Sequence, residues 1–167
     1  MSLRSLFEWV QEFPTAVAIR ESLNYPYLLT FHTVTIILFA GLILMMDLRL
    51  VGLGFRDTPI SQIQKRLFPW QMFMMGLNSI SGVVLFYGQP MRYYPKPFFW
   101  IKMGLMVFAG VNALVFHFTT YRSVAEWDAS TDVPLGAKLA GAFSIVLWAG
   151  VIVFGRITAY NWADIKL

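Results

Sequence analysis

Two histidines and one lysine lie within stretches of this chain that are otherwise apolar enough for a membrane interior: His32, Lys102 and His117. An ionisable side chain at that depth is costly, which makes each of the three a candidate for chemistry. A neutral imidazole can ligate a metal or haem iron, and a lysine beside it can pair with the carboxylates of a prosthetic group. Around His117 the company is different. Met45, Met46, Met72, Met74 and Met75 bring thioethers toward the same level, and soft ligands with an imidazole suit copper(I). The chain has no cysteine, so thiolate metal sites, disulfides and covalently attached c-type haem are excluded.

The elements that must carry these residues follow from composition. Of 167 residues, 57% are hydrophobic and only 13% charged, a balance that belongs in lipid rather than in a soluble core. A hydrocarbon layer of about 30 Å needs about 20 apolar residues of helix. Four runs qualify, predicting transmembrane helices at 27–48, 67–91, 97–121 and 137–157. Backbone groups in lipid must be satisfied internally, so each run is helical, and an even number puts both termini on one side. We call that side X and the opposite side Y. Leu3, Leu6, Phe7 and Val10 recur at helical spacing ahead of Pro14 and predict a short helix lying on the X surface. The expected fold is thus an all-α integral membrane protein, residues 1–167 forming one domain: a four-helix transmembrane bundle with a short N-terminal interfacial helix. Thr58 before Pro59 reads as the start of an amphipathic link into the second span, and Ser123 with Glu126 has capping-box spacing.

Depth decides which candidates can act together. His32 and Lys102 each lie about five residues inside the X end of helices that run X to Y, so both sit roughly 8 Å in. His117 follows Lys102 by fifteen residues, about 22 Å further along the same helix. The two histidines therefore cannot ligate one iron within a single chain. The X rim also holds Arg92, Lys96 and Arg156. Together these suit a haem b ligated by His32, with propionates toward Lys102, Arg92 or Arg156 and with Phe39, Phe86 and Phe108 packing on the macrocycle. A quinone or a free porphyrin is an alternative occupant. Equally, His32 can hydrogen-bond a neighbouring helix while Lys102 extends its ammonium to the X headgroups. On side Y, His117 with Met72 and Met75 is a weaker copper set, because methionine is also a common filler between helices. Gln71, Asn78, Ser79, Ser81 and Asn112 read as hydrogen bonds between helices, and Ala109-x-x-x-Ala113 and Ala137-x-x-x-Gly141 permit close packing. Trp70, Trp100, Trp148 and Trp162 fall where interfacial belts are expected.

Several segments carry a resemblance. Phe31-His32 through Gly41, Met46-Asp47-Leu48-Arg49-Leu50-Val51-Gly52-Leu53-Gly54, Phe68-Pro69-Trp70 and Pro97-Phe98-Phe99-Trp100-Ile101-Lys102-Met103 look like a family of small, functionally uncharacterised four-helix bacterial membrane proteins. The likeness covers most of residues 5–156. More distantly, a histidine early in the first span and Trp-x-Lys opening the third resemble the bacterial four-helix protoporphyrinogen oxidases and the copper-resistance D-type membrane proteins. In those oxidases the corresponding histidine and lysine are associated with haem and porphyrin, which the resemblance transfers to His32 and Lys102 alone.

Three functions follow as expectations. One is a membrane haem b-binding or redox-associated subunit passing electrons between quinone and a partner. Another is a non-catalytic accessory subunit in a larger respiratory or photosynthetic complex. The third is a copper or small-solute transporter. Expected partners are the lipid bilayer and other membrane subunits or further copies of the chain, with no nucleic acid, since the net charge of +4 is spread over loops and helix ends. The basic cluster Arg49, Arg56, Lys65 and Arg66 favours a cytoplasmic Y side in a bacterial inner membrane, with both termini periplasmic. No paired carboxylates, nucleophile elbow or phosphate-binding glycine loop suggest a hydrolase.

Overall fold

The computed structural model describes residues 2–128, 130 and 132–159 and is helical throughout its ordered elements. Three helices are long and apolar enough to cross a membrane: α3 (Asn24–Val51), α6 (Pro97–Phe118, continued by a 3-10 turn and α7 to Trp127) and α8 (Leu135–Ala159). A further long helix, α4 (Ile60–Gly88), has 29 residues but a less apolar sequence. The reason lies in Gln71, Asn78 and Ser81, which lower its hydropathy and are all buried in the interior. Its first turns are the segment expected as a separate link, and the helix continues through Pro69 into the apolar run without a break.

The X end is built from short helices. Ser2 caps α1 (Leu3–Val10), whose Phe7 meets Phe86 edge-on with ring centres 5.3 Å apart. A second short helix that sequence periodicity does not predict, α2 (Pro14–Glu21), starts with proline at its first turn, where the missing N–H costs nothing. Its Ile19 sits so close to Gly88 that a Cβ there would fall 2.9 Å from the isoleucine methyl. Between α4 and α6, α5 (Pro90–Tyr93) presents Tyr93, which hydrogen-bonds Tyr25 at 2.6 Å. Burial raises the Tyr93 phenol well above its ordinary pKa, and the Tyr25 bond adds to the rise.

Among the long helices, α3 packs against both α4 and α8, and α8 packs against α6. No comparable interface joins α4 to α6; they meet at the X end, where Phe86 stacks on Phe99 with centres 5.3 Å apart. The neighbours therefore run α4, α3, α8, α6 rather than closing evenly into a ring. Gly141 allows the close α3–α8 approach, since a Cβ there would lie 2.9 Å from Leu50 Cβ and 3.1 Å from the Asp47 carbonyl.

The Y end has its own small core of Met46, Leu50, Ile60, Ile63, Trp127, Val133 and Ala137. Arg49, read from sequence as a headgroup-facing charge, is instead 1% exposed. Its guanidinium donates to the Thr58 carbonyl at 2.9 Å and to the Ser130 carbonyl at 3.4 Å, tying one Y loop to the other. With Arg49 inside, it no longer belongs to the charges that set orientation. Two caps also differ from expectation. No side chain of Thr58 caps α4; Asp128 does so from the other Y loop, accepting from the Ser61 N–H at 2.7 Å and from the Ser61 hydroxyl. Ser123 makes no capping bond to α7 (Val124–Trp127) and accepts from the Trp127 indole instead. Pro134 does stand at the entry to α8, its carbonyl accepting from Ala137 and Lys138.

The glycine at the α3–α8 contact generates a prediction. Gly141→Leu forces the two backbones apart at a site with no room for a side chain, and destabilisation of about 1–3 kcal/mol is expected. Thermal unfolding in detergent checks it, with the exposed Gly41→Leu, where a Cβ meets nothing within 4 Å, as the control expected to change little.

Candidate functional site in the membrane interior

The polar residues of α4 face α3 and form a seam. Gln71 donates from Nε2 to the Leu42 carbonyl at 3.1 Å. About two turns further toward X, Asn78 Nδ2 donates to the His32 carbonyl at 2.9 Å and to Thr35 Oγ1 at 3.0 Å. Thr35 Oγ1 in turn donates to the His32 carbonyl at 3.0 Å. Ser81 Oγ lies 2.9 Å from His32 Nδ1 and donates to the Leu77 carbonyl at 2.8 Å. Asn78 and Ser81 are 8% and 2% exposed, while the His32 ring is half-buried against Gly82.

Asn78 Nδ2 also lies 3.3 Å from His32 Nδ1, so this ring nitrogen faces both Asn78 and Ser81, and the Ser81 hydroxyl is within hydrogen-bond distance of the Leu77 and Asn78 carbonyls as well as of the ring. Nε2 has no hydrogen-bond partner among the described residues. Histidines that ligate a metal through one ring nitrogen are commonly held by a hydrogen bond at the other.

Lys102, the other sequence-derived candidate at this end, is half-buried on α6 and runs along Gly155 of α8, where a Cβ would lie 3.8 Å from Nζ. It has no hydrogen bond or ion pair among the described residues. The rim cations are less involved. Arg92 is exposed and donates to Gln89 at 3.2 Å; Arg156 is exposed in the last turn of α8. Lys96 donates to the Thr158 carbonyl at 2.8 Å, fastening the start of α6 to the end of α8.

The remaining candidates are not brought together. His117 is exposed and stacks on Tyr121, ring centres 5.5 Å apart, and Met72 and Met75 are 44% and 40% exposed on α4, which shares no packed interface with α6. Among the described residues no group of three or more histidine, aspartate or glutamate side chains gathers as a metal site. Of the expected aromatic lining, Phe39 and Phe86 point inward, but Phe108 is 61% exposed. Trp148 is not in an interfacial belt; it sits midway along α8 with its ring 4.8 Å from Phe39. Trp162 lies outside the described residues. Asn112 reaches from α6 to the Ala140 carbonyl at 2.9 Å, while Ser79 is exposed.

One buried carboxylate was not singled out by the sequence. Asp47, near the C-terminal end of α3, is 5% exposed, and its Oδ2 has no hydrogen-bond partner among the described residues. The available signal was its position, since a carboxylate in the last turns of a helix opposes the helix dipole and is placed there at a cost.

Residues 20–161 match the model of a protein family described only as a family of unknown function. No curated protein and no solved structure matches the chain.

The seam itself can be tested. Asn78→Leu removes the amide that donates to both the His32 carbonyl and Thr35, and a loss of about 1–2 kcal/mol of stability is expected in detergent unfolding. Ser79→Leu, one residue away on the exposed face, is expected to be neutral.

Proposed function

The chain belongs to that family, DUF6644, and from this premise we propose that it is a haem b-binding, redox-associated membrane subunit held by four transmembrane helices, with His32 as the iron ligand. The fourth span is α4, whose 67–88 stretch carries no Asp, Glu, Lys or Arg and whose polar side chains turn toward α3. What supports the reading is the His32 ring, whose Nδ1 is held against Ser81 and Asn78 while Nε2 has no hydrogen-bond partner among the described residues. Lys102, without a hydrogen bond or ion pair among the described residues, supplies the cation that a propionate at this depth needs to offset its desolvation.

The residues fit such a group in three respects. Ser81 holds the imidazole through a 2.9 Å contact with Nδ1, which restrains the ring. Lys102, Arg92 and Arg156 form a graded set of cations from the interior to the rim. The α4–α6 side, lacking a packed interface, offers a way in between helices. A bound haem b would supply one-electron redox chemistry. The chain's part would be to hold the iron with His32, pair the propionates with Lys102, Arg92 or Arg156, and exclude water with Phe39 and Phe86.

The experiment is an absorption spectrum of the detergent-purified protein reconstituted with haem. A Soret band is expected, abolished by His32→Ala, weakened by Ser81→Ala and left intact by His117→Ala. A colourless protein, or a band that survives loss of His32 and disappears with His117, contradicts the proposal.

A further inference from the structure

Most cations at the two ends of the molecule are engaged within it. At X, Arg4 pairs with Glu8, Arg20 pairs with Glu21, Arg92 bonds Gln89, Lys96 holds the Thr158 carbonyl, and Arg156 is not free either. At Y, Arg49 is buried on two loop carbonyls, Arg56 donates to the Gly52 carbonyl and Arg122 lies over the Phe118 ring. Lys65 and Arg66 differ. Both are exposed on α4, and neither has a hydrogen bond or ion pair among the described residues. Nor does their helix neutralise them: residues 58–88 hold no aspartate or glutamate, and Asp128, which reaches α4 from the other loop, is taken up by Ser61.

Their facing and height say what can neutralise them. At 3.6 residues per turn, Lys65 and Arg66 flank the side of α4 opposite the buried Ile60, Ile63 and Gln71. On that same outer side the helix continues with Pro69, Met72, Phe73, Ile80 and Val83, all exposed and all apolar. Phe68 and Trp70, exposed within about a turn of the pair, mark the level at which the hydrocarbon begins. Two unneutralised cations therefore stand at the head of a lipid-facing apolar strip. A soluble anion would use only the upper half of this surface, whereas a phospholipid fits both halves.

We propose that Lys65 and Arg66 bind the phosphodiester headgroup of an anionic phospholipid in the Y leaflet, its acyl chains lying along Met72, Phe73 and Ile80. Arg66 presents a planar fork to two phosphate oxygens, and Lys65 a point charge on a flexible stem. The site is independent of the haem but rests on the reading of α4 as a span.

The test exposes the full-length protein in detergent micelles to equimolar dioleoylphosphatidylglycerol and dioleoylphosphatidylcholine and counts retained lipids by native mass spectrometry. Phosphatidylglycerol is expected to be retained in preference by about tenfold or more. Lys65→Gln and Arg66→Gln are each expected to lower that preference about fivefold, and together to abolish it, while Lys65→Arg keeps it. Both side chains are exposed, so melting temperatures without added lipid are expected to match the wild type, and a lost preference is then not a folding defect. Arg122→Gln and Lys138→Gln remove the same charge elsewhere at Y and are expected to change little. Equal retention of the two lipids, a preference that the double variant keeps, or an equal loss in Arg122→Gln and Lys138→Gln overturns the assignment, the last by making selectivity a diffuse effect of surface charge. Glycerol phosphate displacing the lipid overturns it too, by making the pair a site for soluble anions. In nanodiscs, Ser79→Cys on the outer side of α4 is expected to resist a water-soluble maleimide. Ready labelling overturns the span and the site with it, whereas protection with unselective retention overturns the site alone.

Discussion

A polar side chain inside a membrane must find its partner within the protein, and the α3–α4 seam is where this chain meets that condition. Gln71, Asn78 and Ser81 would each be unfavourable facing lipid, and together they set the rotation of α4 by requiring one face to meet α3. Individual hydrogen bonds between membrane helices contribute little, on average about 0.6 kcal/mol. Their value here is directional. Because Asn78 and Ser81 both face Nδ1, packing restrains the orientation of the His32 ring and leaves Nε2 without a hydrogen-bond partner among the described residues.

The two ends of the molecule solve a different problem, that of closing the loops. At Y, charged groups do so by reaching across the chain: Arg49 holds the backbone of both loops, and Asp128 caps a helix that begins 68 residues earlier in the chain at Ile60. A buried guanidinium satisfied by carbonyls alone is tolerable because Arg keeps five donors in a fixed plane. At X, aromatic contacts and short helices serve instead, with Phe7, Phe86, Phe99 and Tyr94 in mutual contact and α2 pressed on Gly88. The candidate haem ligand lies toward the aromatic end.

Much of this architecture could be read from the sequence, and the misreadings have two causes. Run length was enough to place the apolar helices, and polar residues within them were identifiable as contacts between helices, since lipid offers them nothing. Which face of a helix points inward was not readable wherever both faces are apolar. Amphipathic periodicity, the usual signal, vanishes when the solvent is lipid. That is why Phe108 was expected inside and Trp148 at an interface, when the structure exchanges those roles. Arg49 was misjudged for another reason, and the capping role of Asp128 was not legible: their partners are far away in sequence, and a charge beside a loop reads as solvated until the fold closes over it. The candidate site was half visible. His32 and Lys102 stood out by residue type, but the surroundings of the His32 ring depend on two side chains of a different helix, Asn78 and Ser81, and no spacing rule encodes them.

The central claim, that His32 ligates through Nε2, requires a neutral imidazole protonated at Nδ1. The most direct measurement is nitrogen NMR of the protein in nanodiscs, labelled with 15N-histidine and carrying His117→Asn so that a single histidine remains. The account predicts one pyrrole-type signal from Nδ1 and one pyridine-type signal from Nε2, the two exchanging assignments or broadening when Ser81→Ala removes the contact at Nδ1. A ring protonated at Nε2 alone, or at both nitrogens at neutral pH, would contradict it, since the lone pair on which the site depends would then be absent.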